Sequence, residues 1–348
     1  MTSSPCSVQK NRVLLAGFGE HGLRVLQGLI ELKEGKLIEW LGAISWSEAK
    51  AKQEKGWEKQ PDESQFCQLI ASSSNVEAVP PTLLNDAMFL DWVYQYQPTM
   101  ILLSTWGEIL SRETLQELSR LNVDVINCHP ALLPHHRGAN PYTSAIRSGD
   151  TQSGVTFHQV TEKLDGGPIL LQKAVPIDPA DTGGSLKIRC ALMAREALAQ
   201  LLNELDELKE KAEPSHDDSG SYYPPLSITD GAMDWTKSSE VLINQVRGLQ
   251  PWLDCYMRLN RSLFGWRPFL IVERAQHPTQ DVIHPQASHP GHILSSTSKG
   301  LIIACGENQA IQFPTYRLHT MAGFLPVSWS MRIGSRLIRA GDMFEAPD

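Results

Sequence analysis

The chain has 348 residues, 41% of them hydrophobic and 20% charged, with a formal net charge of −8 at pH 7. That length exceeds one ordinary core and suits two domains, and the composition excludes a disordered or fibrous protein. The negative charge argues against broad nucleic-acid binding by counterion release, and no apolar run approaches the roughly eighteen residues that a membrane helix needs.

Residues 1–12 are polar and lack the hydrophobic core of a signal peptide, so a cytoplasmic protein is expected. Residues 12–16 form a short β-branched and leucine run, followed by Gly17-Phe18-Gly19-Glu20-His21-Gly22 and an amphipathic stretch. Strand, tight glycine turn and helix is the natural reading. A second strand is expected over 38–46, then a polar Lys/Glu-rich helix or loop over 47–65. Residues 99–104 read as a buried strand, 111–121 as a helix, 123–128 as a strand ending at His129-Pro130, and 154–160 as a strand. A long helix is expected over 185–208, with Leu186, Cys190, Met193, Ala197 and Leu201 on one face. Strands alternating with helices predict an α/β class: a Rossmann-like, mostly parallel sheet with helices on both faces.

Beyond that helix, 206–225 is charged, Ser- and Pro-rich and nearly free of aliphatics, as expected of a linker. A helix over 238–248 and short strands separated by Gly and Pro then predict a smaller β-rich, barrel-type domain. The expected division is 1–205, a 206–225 linker and 226–348. The six cysteines (Cys6, Cys67, Cys128, Cys190, Cys255, Cys305) contain no C-x-x-C pair, which suits reduced thiols better than disulfides or zinc.

Gly17, Gly19 and Gly22 fit a dinucleotide-binding turn. That fingerprint also requires an acid at the end of the second strand, but the strand ends Ala43-Ile44-Ser45-Trp46 and Glu48 lies past it. The simpler reading, a glycine-permitted tight turn, is preferred to a nicotinamide-dependent oxidoreductase.

The informative stretch is Asn127-Cys128-His129-Pro130-Ala131-Leu132-Leu133-Pro134-His135-His136-Arg137-Gly138. At a strand end, alternation sends Asn127 and His129 to one side and Cys128 into the opposite layer; Pro130 keeps His129 extended. Downstream, Asp165 precedes Gly166-Gly167, in a loop able to bend back toward His129. A carboxylate beside the imidazole would raise its pKa and fix its tautomer. His135 and His136, adjacent in a Pro-flanked loop, are expected to contact solvent or substrate and not a metal. His158 is expected either to touch substrate or to be hydrogen-bonded under the loop. Trp106, Trp235 and Trp252 are individually expected to be core or domain-interface residues.

Asn127-Cys128-His129-Pro130, Leu132-Leu133-Pro134 with Arg137-Gly138, and Leu164-Asp165-Gly166-Gly167 together resemble the ordered N-x-H-P, S-L-L-P-x-x-R-G and L-D-x-G motifs of folate-dependent formyltransferases. Gly231-Ala232-Met233-Asp234-Trp235, Val246-Arg247-Gly248 and 300–306 resemble the open-barrel (OB-like) C-terminal domain of that family. The resemblance implies a formyltransferase that takes its one-carbon group from 10-formyltetrahydrofolate, with no metal. It implies that Asn127 donates to the developing oxyanion, that His129 takes the amine proton or stabilises the intermediate, and that Asp165 orients His129. It implies folate contacts from Trp106, Gly107, Ile109 and Leu110, and from the turn Leu132, Leu133 and Pro134. Acceptor contacts are expected from Gly17, Gly19, Arg137 and Tyr142.

The departures bear on the acceptor. Ala131 stands where the family usually has serine, 138–142 read Gly-Ala-Asn-Pro-Tyr, and the first loop lacks the Gly-Thr-Pro of the tRNA-directed members. Residues 206–260 hold five basic against ten acidic side chains, a poor surface for phosphate. Residues 261–348 are slightly basic, and Lys50, Lys52, Lys55 and Lys59, interleaved with glutamates, form another candidate contact. The expected acceptor is a small-molecule amine, such as an amino sugar or amino acid derivative, with methionyl-tRNA as the alternative. A non-catalytic or hydrolytic relative that keeps the folate pocket is a further one.

Overall fold

A computed structural model describes residues 11–45, 63–80, 83–212, 220–262, 267, 269–279, 289–320 and 323–345. Lys50, Lys52, Lys55 and Lys59, Cys6 and most of the polar segment 47–65 lie outside these residues.

Strand β1 (Asn11–Gly17) pairs in parallel with β2 (Ile38–Ser45) and with β4 (Met100–Ser104), and β4 pairs in parallel with β5 (Asp124–His129). The sheet continues through antiparallel β7 (Gln152–Gln159) and β8 (Ile169–Pro176), giving the order β3-β2-β1-β4-β5-β7-β8 with β3 at Glu77–Ala78. Side chains alternate across it. Val13, Leu15, Leu102 and Cys128 bury in one layer, which also holds residues of α1 (Gly19–Glu34) and α6 (Gly183–Asn203). Leu14, Ala16, Ile101 and Leu103 bury in the other, with Phe89 and Val93 of α3 (Ala87–Tyr96) and Leu118 of α4 (Arg112–Arg120). The mostly parallel α/β sheet with helices on both faces is therefore as expected. α2 (Glu63–Ser72) adds Phe66 to the first layer.

The helix expected over 185–208 is two helices. Thr182 caps α6 through the Ser185 amide, and Ser185 returns the bond to the Thr182 amide. The chain turns at Glu204 into α7 (Leu205–Glu210), where Lys209 meets Asp124 at 2.8 Å. Part of the segment with linker composition is thus helical; another part, β9 (Tyr222–Tyr223), pairs in parallel with β6 (Arg137–Gly138).

The C-terminal region is β-rich, as expected. Antiparallel β10 (Cys255–Arg258), β11 (Phe269–Val272), β15 (Arg317–Thr320) and β16 (Gly323–Phe324) form one sheet, and β12 (Ile293–Thr297), β13 (Gly300–Cys305) and β14 (Gln309–Phe313) another. Their core includes Leu270, Ile303, Ile311, Phe313 and Leu318. Trp235 meets Phe313 edge-on and stacks on Phe344, so it is a core residue. The remaining helix is α9 (Val327–Leu337).

Helix α8 (Ser239–Leu249) joins the two regions by packing on α5 (Pro141–Arg147), where a Cβ at Gly248 would sit 3.1 Å from the Ile146 side chain. Arg147 pairs with Asp230 at 3.0 Å. Tyr142 stacks on Trp252 with ring centroids 5.7 Å apart. Trp252 is a buried interface residue, as expected; Tyr142, expected to contact the acceptor, is buried in the same packing. A phenol flanked by Pro141 and Ile146 gains more from burial against an indole than from facing water.

Candidate active site

The C-terminal ends of β1, β4 and β5 define the crevice where ligands bind in such sheets. Gly17 ends β1; a Cβ there would lie 2.8 Å from the Ser104 carbonyl, so glycine is what lets β1 and β4 end side by side. Gly19 opens α1 at φ +64, a left-handed conformation that glycine adopts without strain. The glycines expected to meet substrate are thus required by packing and backbone geometry. His21, on the first turn of α1, is fully buried, with Nδ1 2.8 Å from Ser104 Oγ. Burial first, then Lys187 and His129, push its pKa down to about 3, so the ring is neutral at pH 7.

At the end of β5, Asn127 and His129 project together, as the alternation predicts, while Cys128 is buried in the opposite layer. Asp165, in the loop after β7, has the left-handed φ of +49 and reaches back to them. Its Oδ1 lies 3.5 Å from His129 Nδ1 and accepts from Asn127 Nδ2 at 3.3 Å; its Oδ2 accepts from the Gly138 amide at 2.9 Å. The three residues singled out from the sequence therefore converge, as do His158 and two backbone groups.

His158 sits directly across from Asn127 in the β5–β7 pairing. Its Nδ1 faces the Gln159 carbonyl at 2.9 Å; a carbonyl only accepts, so Nδ1 carries the proton. Nε2 faces the Asn127 amide, whose Nδ2 donates to it at 3.1 Å. Both protons of the Asn127 amide are held, one by His158 and one by Asp165.

His129 is equally constrained. Nε2 is 2.9 Å from the His136 carbonyl and Nδ1 faces Asp165, so both ring nitrogens point at acceptors, an arrangement fully satisfied only by the imidazolium. Burial opposes that charge and outweighs Asp165 and the carbonyl, leaving the His129 pKa lowered. For Asp165 the balance goes the other way: burial disfavours the carboxylate, yet His129 and the Gly138 amide hold its carboxyl well below the usual range. The resting pair is a carboxylate beside a neutral imidazole, which donates to one of its two acceptors and gains the second on protonation.

His136, expected to face solvent or substrate, is buried. Its ring bonds Ser144 at 3.0 Å and Asp150 at 2.6 Å, and it stacks on Tyr223 at 5.4 Å. Its position inside the loop forces burial, and the two bonds offset the cost. His135 remains exposed. The turn that follows β5 is tied to β7 and β8: Thr156 donates to the Ala131 carbonyl and accepts from the Leu133 amide, and Gln172 donates to the Leu133 carbonyl. Leu133 is buried; Leu132, Pro134 and Arg137 are half-buried.

In the loop after β4, Glu108 accepts from the Leu84 and Asn85 amides and from Trp106 Nε1, which fixes the backbone. Trp106 is half-buried, Gly107 and Ile109 are exposed, and Leu110 is 2% exposed in the core. Among the described residues, no group of three or more His, Cys, Asp or Glu side chains could hold a metal ion, the five cysteines are free thiols, and no helix is long and apolar enough to cross a membrane.

The His158 contact follows from strand register, a signal legible once β5 and β7 are paired. The Gly138 amide and the His136 carbonyl carry no side-chain signature and were not legible.

Comparison with known proteins supports this picture. A formyl transferase family model matches residues 41–202, and a formyl transferase C-terminal domain model matches 225–322. A methionyl-tRNA formyltransferase from Stutzerimonas stutzeri is 30% identical over 299 residues, which is 86% of this chain and 88% of the relative. The enzyme of the same description from Pseudomonas syringae pv. syringae is 32% identical over 239 residues, 69% and 71% of the two chains. Among solved structures, an N-formyltransferase from Helicobacter canadensis in complex with folinic acid and dTDP-3-aminofucose shares the fold at TM-score 0.58 and 14% identity, covering 87% of this chain and 99% of that one. HypX from Aquifex aeolicus with tetrahydrofolic acid aligns at TM-score 0.56 and 14% identity, over 95% of this chain and 48% of that one. Two consecutive matching domain models and a relative 30% identical over 86% of this chain lead to one assignment: the chain belongs to the formyl transferase family.

Proposed function

We propose that this protein transfers the formyl group of 10-formyltetrahydrofolate to the primary amine of a small molecule through a tetrahedral intermediate, with Asn127, His129 and Asp165 as the reacting constellation. The observation that carries the reading is the meeting of Asn127, His129 and Asp165 within 3.5 Å, though 38 residues separate Asn127 from Asp165. The amine attacks the formyl carbon, and the carbonyl electron pair moves onto oxygen. Asn127, whose longer bond to Asp165 yields first, turns one N–H toward that oxyanion. The ammonium proton passes to His129, whose cation is held between Asp165 and the His136 carbonyl. Collapse expels folate N10, and His129 returns the proton to it.

The fixed loop over 105–110 suits the folate. Gly107 leaves backbone exposed, Ile109 is 57% exposed and Trp106 half-buried, offering an apolar edge with accessible amide groups for the pterin. Leu132 and Pro134 form the partition between folate and acceptor, and Arg137 lies on the acceptor side.

A small acceptor is supported by the charges between 206 and 260. Lys209 pairs with Asp124, Lys211 with Glu207 and Lys237 with Asp234; Arg247 bonds the Asp178 and Asp181 carbonyls, and Arg258 is 4.0 Å from Glu345. Each cation already has a partner that a phosphate would need to displace. The second reading, formylation of methionyl-tRNA, is favoured by the relatives at 30–32% identity that carry that description. Turnover of 10-formyltetrahydrofolate with methionyl-tRNA, and with a panel of amino sugars and amino acid derivatives, separates them. Turnover with a panel amine is the expected result; tRNA formylation with no panel activity overturns the small-acceptor reading.

A further inference from the structure

The segment between the two regions is laced onto the loop that holds His129 and Asp165. Ser221 accepts twice from that loop: its carbonyl takes the Arg137 amide at 2.9 Å and its hydroxyl the His136 amide at 2.9 Å. The Tyr223 carbonyl takes the Ala139 amide at 3.1 Å, its ring stacks on His136 at 5.4 Å, and its hydroxyl meets Ser148 at 2.9 Å. The fit leaves no slack: a Cβ at Gly138 would lie 2.3 Å from the Tyr223 carbonyl, and one at Gly220 would lie 2.2 Å from the Pro134 carbonyl.

The gripped residues are the ones that set the reacting pair. The His136 carbonyl faces His129 Nε2, and the Gly138 amide donates to Asp165 Oδ2. His136 has a left-handed φ of +56, costly for a residue with a Cβ and maintained only where its surroundings over-determine it. Without the Ser221 hydroxyl its amide loses its side-chain acceptor, and the carbonyl on the same residue loses its fixed direction.

We propose that Ser221 and Tyr223 are positioning residues for catalysis: the inter-domain strand, seated on residues 136–139, fixes the carbonyl that orients His129 and the amide that orients Asp165. The proposal rests on the reading of His129 and Asp165 as the reacting pair. It makes the placement of the second domain a determinant of the rate, because the strand that leads into that domain is the strand that holds the loop.

The test uses the full chain with Ser221→Ala, Ser221→Thr and Tyr223→Ala. The His129 ring is followed by ¹⁵N NMR, its signal assigned by loss in His129→Ala, and formyl transfer is followed from 10-formyltetrahydrofolate. In Ser221→Ala and Tyr223→Ala, the His129 titration moves to lower pH as its grip on the His136 carbonyl loosens. kcat falls by about 10-fold, the scale of one supporting hydrogen bond, with KM for the folate unchanged. Ser221→Thr, which keeps the hydroxyl, restores both. A His129 titration identical to wild type in folded Ser221→Ala and Tyr223→Ala overturns the positioning role. A moved titration together with wild-type turnover in His129→Ala overturns the catalytic reading instead, so the two failures are distinguishable.

Discussion

The two halves of the molecule bury different chemistry. Around the crevice lie His21, His129, His136, His158 and Asp165, all under 10% exposed. Among the described residues, the C-terminal region buries the uncharged Ser239, Asn244, Gln312 and Ser330, and burial pushes its enclosed Cys255, Cys305 and Tyr316 up, so that they stay neutral. Burying an ionisable group costs several kcal/mol unless every charge and proton finds a partner. The N-terminal half accepts much of that cost around the end of β5, where the proposed proton transfer and oxyanion binding would need a dry, pre-oriented environment. The C-terminal half follows only the logic of packing, with Trp235 between Phe313 and Phe344.

The contrast predicts which substitutions cost stability and which cost rate. Phe313→Ala, a fully buried ring in the β core, should lower unfolding free energy by about 3–5 kcal/mol while leaving the pH profile of turnover unchanged, checked by urea unfolding and steady-state kinetics. A shifted pH profile would join the two regions energetically and break the contrast. Asn127→Ala and His129→Ala should each slow formyl transfer by roughly 100-fold or more with little change in far-UV circular dichroism. Wild-type rates in both variants would remove the chemistry assigned to the crevice.

A pH dependence sharpens the comparison further. His21 has its folded pKa depressed to about 3 from 6.5, so the unfolded chain binds more protons between those values. Stability should then be complete above the unfolded value and decline as pH falls through that window, by about 1.4 kcal/mol per unit from this residue alone. His21→Gln should flatten that slope; an unchanged slope would mean the ring is protonated in the fold. Asp165, depressed in the folded state, adds stability above the ordinary carboxylate range that is lost at still lower pH. The smallest effect belongs to the surface: Lys209→Gln, which breaks the half-exposed pair with Asp124, should cost under about 1 kcal/mol by thermal unfolding.

Much of this organisation was legible in the residues themselves. Asn127 and His129 two apart at a strand end, Pro130 after them and Asp165 before two glycines fix three side chains and the local geometry of two. The expected helix over 185–208 is broken at Glu204, yet its apolar spacing marks the buried face at Leu186, Cys190, Ala197 and Leu201. For Tyr142 and His136 the residues themselves leave the facing open: an aromatic or imidazole ring beside a motif has two sides, and only the neighbours brought by the fold, Trp252 for one and Asp150 and Tyr223 for the other, decide which way it faces.

The sequence by itself determined the class of fold, because periodicity, prolines and glycines act locally, and it singled out Asn127, His129 and Asp165, the proposed reacting side chains, through the motifs in which they stand. Tertiary structure alone decided that His158 shares the Asn127 amide, that both His129 nitrogens meet acceptors, and that residues 221–223 brace the loop. Those facts depend on strand register and on backbone groups, which every residue possesses and which only long-range packing makes specific.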